Sequence, residues 1–301
     1  MNEPPRTRTP LAAALAALAL ALLVTPGALA QSDAEPGASE AAPEAPTEES
    51  WGERFRWANE GFVYSIEILG AEAARTSMNV GAPIHHEEHG HVIPVDGLTV
   101  SLGFFGNVYP MRDTAMTYVD VETGLPVWTS KTLDERNVVR TYDVSFRRDA
   151  FQAHVRRTRE EGVRTYMRYG PSDLHDAMSW WIDLRSRDHA IGSEFVYHVY
   201  DGWKLSRLTC RVTRHHDVYT PMGFIPSAEF SLTREVLASF APLPYADGAA
   251  LPPVYEVTEG PVDLGRMWFS LDERRLPVGA EIDAPIGYLR MLIARHEAPS
   301  S

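Results

Sequence analysis

The sequence predicts an all-β, mainly antiparallel fold, in which a large curved sheet or open barrel has one short helix packed on it. Two observations lead to this fold class. Apolar and polar residues alternate through much of the chain, as at Phe62, Tyr64 and Ile66, which share one face of a strand. Turn-forming sequences separate such segments about every ten residues, and the clearest is Asp201-Gly202. Closely spaced strands with turns between them are typical of antiparallel sheets.

Other segments show the same alternation and are also predicted to be strands. Further turns are predicted at 122–124, 160–162 and 272–275, where Gly, Asp and Glu are concentrated. The additional strand segments are 98–104 (Leu98, Val100, Leu102 and Phe104 on one face), 142–146, 194–200 and 203–212.

One segment, 172–186, has the spacing of a helix instead. Ser172 is a suitable N-cap, and apolar residues recur at helical intervals from Leu174 to Leu184. We therefore predict a short helix over 172–186 that packs on the sheet. Its Trp180-Trp181 pair is predicted to contribute to the core.

The N-terminal segment 1–30 has the three-part pattern of a secretory signal peptide. Arg6 and Arg8 precede an apolar run over 11–24, and Ala28-Leu29-Ala30 offers a cleavage site before Gln31. The alternative is a retained membrane anchor, but a spanning helix needs roughly 20 apolar residues, more than this run contains. No later stretch is long and apolar enough to span a membrane. We therefore expect an exported protein without a transmembrane segment after cleavage.

Composition divides the rest of the chain into a tether, one domain and a tail. Residues 31–50 are acidic, contain Pro and Ala, and lack aromatic side chains, so they are predicted to form a disordered tether. Aromatic residues begin at Trp51, which starts a single β-rich domain over 51–296, followed by a tail over 297–301.

Charge and cysteine content exclude some classes of function. The net charge of −13 disfavours binding to nucleic acid, which attracts positive surfaces. Cys210 is the single cysteine, so the domain contains no internal disulfide and depends on its apolar core. Nothing in the sequence demands a dimer, and we expect a monomer.

Several segments, taken in order, resemble the bacterial family catalogued as domain of unknown function 3108. The resemblance extends over nearly the whole domain, and its more specific parts are the segment from Asp176 to Arg185 and the one from Trp268 to Pro277. The segments that carry it are 60–66, 118–126, 176–185, 192, 267–278 and 286–287.

The resemblance implies an exported bacterial protein with a large curved antiparallel sheet. It implies no activity, because none is assigned to the family. Two segments depart from the family pattern and look like insertions, 81–96 and 242–261.

A histidine-rich segment, 85–91, is a candidate metal site. Imidazole and carboxylate groups bind zinc, nickel and copper, so the segment could hold one of these metals weakly. The order His85-x-x-Glu88-His89 also matches a zinc-peptidase pattern, but that pattern requires a helix, and the Gly and Pro residues of 81–94 disfavour one. A solvated loop without metal is the alternative. The candidate ligands are His85, His86, His89 and His91.

Four residues of the predicted helix are candidates for binding a ligand: Asp176, Trp180, Trp181 and Arg185. A helix lying against a curved sheet can leave an apolar groove between them. Asp176 and Arg185 are nine residues apart and would face opposite sides of a helix, so they are not expected to pair. The alternative is structural, with the tryptophans in the core and Arg185 at the helix C-terminus.

These observations favour an exported envelope protein, periplasmic or extracellular, that is not an enzyme. It would bind an apolar or lipid-like small molecule in a groove lined by the sheet, or dock on an envelope protein. Two alternatives remain open. One is an extracytoplasmic metal-dependent hydrolase that uses the histidine-rich segment. The other is a structural or assembly protein, which would display an exposed apolar patch.

Overall fold

The computed structural model describes residues 55, 57–240, 254–284 and 287–298. The predicted signal peptide (1–30), the tether (31–50), the domain start at Trp51 and the last three residues of the tail lie outside the described residues. Those predictions therefore remain predictions.

The described chain consists mostly of strands. Two α-helices, α1 (Gly103–Val108) and α2 (Ser179–Ser186), and one 3₁₀ turn (Arg148–Ala150) complete its regular structure. The strands are β1 (Glu60–Ile68), β2 (Ala71–Val80), β3 (Ile84–His86), β4 (Gly90–Ser101), β5 (Arg112–Asp120), β6 (Pro126–Glu135), β7 (Val138–Arg147), β8 (Gln152–Arg159), β9 (Gly162–Tyr169), β10 (Leu174–His175), β11 (Glu194–Tyr200), β12 (Leu205–Thr220), β13 (Gly223–Phe240), β14 (Val254–Ser270), β15 (Pro277–Ala284) and β16 (Gly287–Glu297).

All sixteen strands belong to one sheet, which confirms the predicted fold class. Its order is β10-β11-β12-β13-β14-β15-β16-β1-β2-β4-β5-β6-β7-β8-β9, with β3 paired to β4. Every pairing is antiparallel except the short parallel pair of β10 and β11. Neighbours along the chain are mostly neighbours in the sheet, because short turns join them.

The sheet rolls up until its two edges pack together, although they do not join through backbone hydrogen bonds. The Tyr166 hydroxyl of β9 donates to the Gly202 carbonyl at the other edge, over 2.8 Å. A separate apolar cluster fills this seam between β7–β8 and β10–β13, and it includes Val144, Val155, Leu174 and Tyr200.

The face of β1 on which the alternation places its large apolar residues is the core face. Phe62, Tyr64, Ile66 and Ile68 are all buried, and the Tyr64 hydroxyl donates to the carbonyl of Pro277 over 2.9 Å. Cys210 is buried in the same interior, as a small apolar residue would be.

Helix α2 lies inside the rolled sheet, and its predicted start was wrong. The helix begins at Ser179, not Ser172, and Leu174-His175 forms strand β10. Seven of its eight residues are buried, Trp180 and Trp181 among them, so α2 fills much of the concave interior.

Two further expectations need correction. The histidine-rich segment 85–91 was expected to lie in a loop, but it belongs to a hairpin formed by β3 and the first half of β4. The strand predicted over 98–104 ends at Ser101, since Gly103 takes a positive φ of 51° and helix α1 follows. Phe104 therefore lies on a helix and is exposed.

Candidate functional site: a groove on the outer face of the sheet

A groove of about 500 Å³ crosses the outer face of strands β16, β1, β2 and β4. Small-molecule sites typically have volumes of ~300–1,000 Å³, so this one has the size of a ligand site. We call it the outer groove. It is lined by Val63, Arg75, Ser77, Leu98, Val100, Leu102, Ala294 and Arg295.

The apolar floor of the outer groove exists because β4 turns its polar residues inward. Thr99 is 1% exposed and its hydroxyl bonds that of Thr76 in β2, at 2.8 Å, so both hydroxyls are satisfied inside the sheet. Because side chains alternate along a strand, Leu98 and Val100 face outward, where each is partly exposed. Sequence alternation had placed them on one face, correctly, but it could not identify that face as the outer one.

A bulge shapes the side of the groove opposite β4. The pairing of β1 with β16 shifts between Val63 and Tyr64, which leaves Ala294 as an extra residue in β16. Bulges bend the strand that contains them and increase its local twist. Ala294 and Val63 both line the groove at this bend.

Two arginines line the groove: Arg75 on β2, beside Val100 of β4, and Arg295 on β16, beside Val63 of β1. Arg75 pairs with Glu72 over 2.8 Å and Arg295 pairs with Glu297 over 3.0 Å. All four side chains are substantially exposed, and exposed ion pairs contribute only about 0–1 kcal/mol each. Either guanidinium can therefore leave its glutamate partner and bind an acidic ligand with only a small loss of free energy.

Helix α1 begins directly after Leu102, the last groove residue of the β4 segment. The Leu102 amide donates to the Ala73 carbonyl over 2.8 Å, which fixes the start of the helix against β2. None of the six helix residues is buried, and Phe104 and Val108 are 73% and 48% exposed. The segment that follows the last groove residue along the chain thus exposes apolar side chains.

The tryptophans proposed as ligand contacts lie in the core instead of a groove. Trp180 and Trp181 are 1% and 5% exposed, and Trp181 packs edge-on against Phe62. The cavity beside α2 and Asp176 measures about 10 Å³, enough for a single water. Among the described residues, the cavity beside α2 is therefore too small for a ligand of lipid size.

Asp176 holds the start of α2 to the sheet. One of its carboxylate oxygens accepts hydrogen bonds from the backbone amides of Met178 and Ser179, at 3.1 and 2.7 Å. The other accepts from the hydroxyls of Thr117 and Thr129. Each contact is internal, so the role of Asp176 in the structure is that of a helix cap.

Arg185 fixes the other end of α2. Its guanidinium donates to the carbonyls of Arg274 and Arg275 over 2.6 and 2.8 Å, and its Nη2 pairs with Glu60 over 2.9 Å. The ring of Trp57 covers it at 4.1 Å. As expected, Asp176 and Arg185 do not pair; each holds a different end of the helix.

The four histidines proposed as metal ligands divide into two pairs. The rings of His85 and His91 are 4.8 Å apart across the β3–β4 hairpin, and those of His86 and His89 stack at 4.7 Å. His86 and His89 also lie against Tyr118, with centroid distances of 4.8 and 5.7 Å. Partial burial, then the neighbouring imidazole of His86, lowers the pKa of His89.

This arrangement does not assemble a metal centre. Among the described residues, no three His, Cys, Asp or Glu side chains converge in a geometry that would hold a metal ion. The hairpin also lacks the helix that the zinc-peptidase pattern requires.

A buried pair of carboxylates, Asp113 and Glu135, lies near the start of β5. Burial, reinforced by the charge of Glu135, raises the pKa of Asp113 to about 7. Burial also raises the pKa of Glu135, which the Arg140 guanidinium opposes. The pair escaped sequence analysis because the two residues are 22 positions apart, from 113 to 135, and only the pairing of β5 with β6 brings them together.

The groove residues were also missed as a site. A signal existed, since Leu98, Val100 and Leu102 alternate with Thr99 and Ser101, whose hydroxyls can bond within a sheet. No sequence pattern showed that the bulge in β16 and the arginines of β2 and β16 lie beside them.

Several solved structures are similar to this chain, although their sequences are at most 10% identical to it in the three cases that follow. A beta-barrel-like protein of the domain of unknown function DUF1849 from Brucella abortus is 10% identical, with a TM-score of 0.49, and the match covers 81% of this chain and 99% of that one. A protein from Bacteroides fragilis, described as exported and YmcC-like in fold, is 7% identical over 80% of this chain and 96% of its own, with a TM-score of 0.32. A protein from Parabacteroides distasonis, described as a lipoprotein, is 7% identical over 80% and 95%, with a TM-score of 0.28.

Sequence comparison identifies the family. None of the curated proteins matches the sequence. The family described as "Protein of unknown function (DUF3108)" matches residues 63–294, which include helix α2, the β14–β15 turn and all of the outer groove except Arg295. The chain therefore belongs to the DUF3108 family.

Proposed function

We propose that this protein is an exported, non-enzymatic binding protein that holds an anionic amphiphile, such as a fatty acid, in the outer groove. The observation that carries the proposal is the groove itself, about 500 Å³ of space with an apolar floor and two arginines among its lining residues. The leader-like segment 1–30 supports export.

The lining of the groove matches the two parts of such a ligand. Leu98, Val100 and Leu102 offer apolar surface that an acyl chain would cover, at about 25 cal/mol per Å² of apolar area removed from water. Arg75 and Arg295 offer guanidinium groups, which bind carboxylates with two parallel hydrogen bonds. An amphiphile without a charge would contact the apolar residues and leave both guanidinium groups without a ligand partner.

The same lining disfavours catalysis. Ser77 is its only hydroxyl, and no His, Asp, Glu or Cys side chain lines the groove. A hydroxyl without a neighbouring base is a poor nucleophile. Binding therefore accounts for the groove better than hydrolysis does.

The proposal is tested by titrating the protein, recovered from a bacterial envelope and delipidated, with a fluorescent fatty acid. We expect saturable binding that unlabelled palmitate displaces. The double variant Leu98→Asn, Val100→Asn should weaken binding at least about tenfold, a loss of ~1.4 kcal/mol. The matched control is Val138→Asn, Val139→Asn, which changes two valines of β7 that are 52% and 50% exposed.

Charge reversal tests the headgroup. The variant Arg75→Glu, Arg295→Glu should weaken palmitate binding and leave the binding of hexadecanol nearly unchanged, because only palmitate carries a charge. Equal loss of both ligands would refute the assignment of the arginines to the headgroup. Binding that is unaffected by the floor variant would refute the groove as the site.

A further inference from the structure

The β12–β13 hairpin ends in an apolar tip, residues 218–226, which contains no charged residue. Tyr219 and Phe224 are 66% and 71% exposed, and Met222 in the turn is 43% exposed. Tyr219 and Phe224 form a cross-strand pair with ring centroids 5.1 Å apart. Isolated exposed apolar residues are ordinary, but three large ones at one uncharged tip form a patch.

The tip is held rigidly with this face toward solvent. Val218 and Thr220, which alternate with Tyr219, are buried at 3% and 0% exposure, so the hairpin cannot turn its outer face inward. The Leu271 amide donates to the Pro226 carbonyl over 2.9 Å and ties the tip to the β14–β15 turn. Leu271 is itself 40% exposed and stands beside the patch.

The tip lies at the end of the rolled sheet where the N-terminal segment joins the domain. Glu60, the first residue of β1, pairs with Arg185, which binds the Arg274 and Arg275 carbonyls in the same β14–β15 turn. The 54 residues before Phe55 therefore reach the domain at this end, and they include the apolar run 11–24. The apolar tip and the point where the predicted leader and tether attach thus lie at the same end of the sheet.

We propose that the apolar tip docks the protein on the surface of a lipid bilayer. Tyrosine and phenylalanine rings are favoured at the membrane–water interface, and the exposed ring pair presents them together. A net charge of −13 opposes anionic surfaces, and the tip has no cationic residue to compensate. The matching surface is thus a neutral, zwitterionic bilayer, bound by apolar insertion.

Flotation with phosphatidylcholine vesicles tests this docking. The protein recovered from the envelope should float with the vesicles equally at low and high salt, because screening affects only charged contacts. The variant Tyr219→Ser, Phe224→Ser should lower the vesicle-bound fraction by about tenfold or more, given the apolar area removed. Unchanged flotation of this variant would show that a different part of the chain holds the membrane, and would overturn the proposal.

A single labelled cysteine locates the contact without removing the apolar residues. Cys210 is fully buried, so Met222→Cys provides one accessible thiol for an environment-sensitive dye. Its emission should shift to the blue when vesicles are added. The matched control is Val163→Cys, at a position 51% exposed in β9 and at the opposite end of the sheet, whose label should not respond.

Other occupants of the patch give distinct results. A dye at position 222 that is already blue-shifted in the monomer without vesicles would show that the chain covers its own tip. The same shift accompanied by dimer mass would show a second copy there. Either result would overturn membrane docking. The outer groove and the apolar tip are separate surfaces, so the two proposals are tested independently. The Leu98→Asn, Val100→Asn variant should still float with vesicles, and the Tyr219→Ser, Phe224→Ser variant should still bind fatty acid.

Discussion

At the scale of single residues, Asp113 has the environment with the clearest energetic consequence. Its side chain is fully buried, one carboxylate oxygen accepts from the Asp134 amide over 3.0 Å, and the other has no hydrogen-bond partner. Burial and the nearby Glu135 together raise its pKa from 3.8 to about 7. Because the folded-state pKa exceeds the unfolded one, the folded protein retains a proton that the unfolded chain loses above about pH 4. Stability must therefore fall as the pH rises from about 4 to about 7.

The substitution Asp113→Asn should remove this dependence. Asparagine keeps the oxygen that accepts from Asp134 and cannot ionise, so we expect the free energy of unfolding at pH 8 to rise by on the order of 2–4 kcal/mol. At pH 4, where Asp113 is protonated in the folded state, the change should be small. Thermal unfolding at both pH values measures the difference. The control Asp96→Asn alters a partly exposed carboxylate that bonds Asn79, and a gain that is equal at both pH values would contradict the argument.

At the scale of elements, helix α2 depends on the buried contacts of Arg185. The Arg185 and Glu60 side chains are 2% and 3% exposed, so each charge depends on the other for most of its compensation. The other ionisable neighbour of Glu60 is the His296 imidazole, 3.5 Å away, and burial lowers the pKa of that ring. Removing one partner of a buried ion pair leaves the other without compensation, which typically costs ~3–5 kcal/mol. Arg185→Met should therefore lower the free energy of unfolding by about that amount and loosen α2.

A neighbouring arginine supplies the control for this prediction. Arg187 pairs with Asp183 over 2.8 Å, and its own side chain is 49% exposed although that of Asp183 is only 8% exposed. Tyr197 still donates a hydrogen bond to Asp183 when Arg187 is replaced, so Arg187→Met should cost less than Arg185→Met, on the order of 1–2 kcal/mol. Denaturant unfolding compares the two variants. Adding Glu60→Gln to Arg185→Met should restore part of the loss, because the stranded carboxylate is then removed. Equal effects of the two arginine substitutions would show that burial of the pair is not what matters.

The elements also show how far the sequence could predict the structure. Alternation identified β1 and its core face, and Asp201-Gly202 marked the turn between β11 and β12, because both signals are local. The start of α2 was placed seven residues too early, at 172 rather than 179. Its actual cap is Asp176, whose carboxylate is fixed by threonines of β5 and β6, and such distant partners leave no trace in a local pattern.

The outer groove was less accessible to prediction than the fold. Leu98 and Val100 were expected to share a face, but whether that face lies inside or outside depends on whether Thr99 finds a hydroxyl partner across the sheet. The histidine-rich segment had a conspicuous composition, and the hairpin still separates its histidines into two pairs. Composition drew attention to the histidines, whereas the register of the β3–β4 hairpin determined which of them lie together.

At the scale of the whole molecule, the strands of the open roll differ in how firmly the sheet holds them. Strand β1 is central, pairs with β16 and β2 on its two sides, and is almost wholly buried. Among the described residues, strand β9 pairs through its backbone with β8 alone, and its first half is exposed. Within that part of the chain, the other side of β9 meets β10–β13 through side chains, including the bond from the Tyr166 hydroxyl to the Gly202 carbonyl. The seam should therefore be the place where the roll opens first.

Amide hydrogen exchange measures this opening directly. Backbone amides of β9 should exchange through local opening at least about a hundredfold faster than those of β1, which require global unfolding. Tyr166→Phe removes one hydrogen bond across the seam, worth roughly 1 kcal/mol, so it should speed exchange in β9 by about fivefold and leave β1 nearly unchanged. If β9 and β1 exchanged at one common rate, the sheet would open only as a whole, and the side-chain seam would be as strong as a backbone ladder.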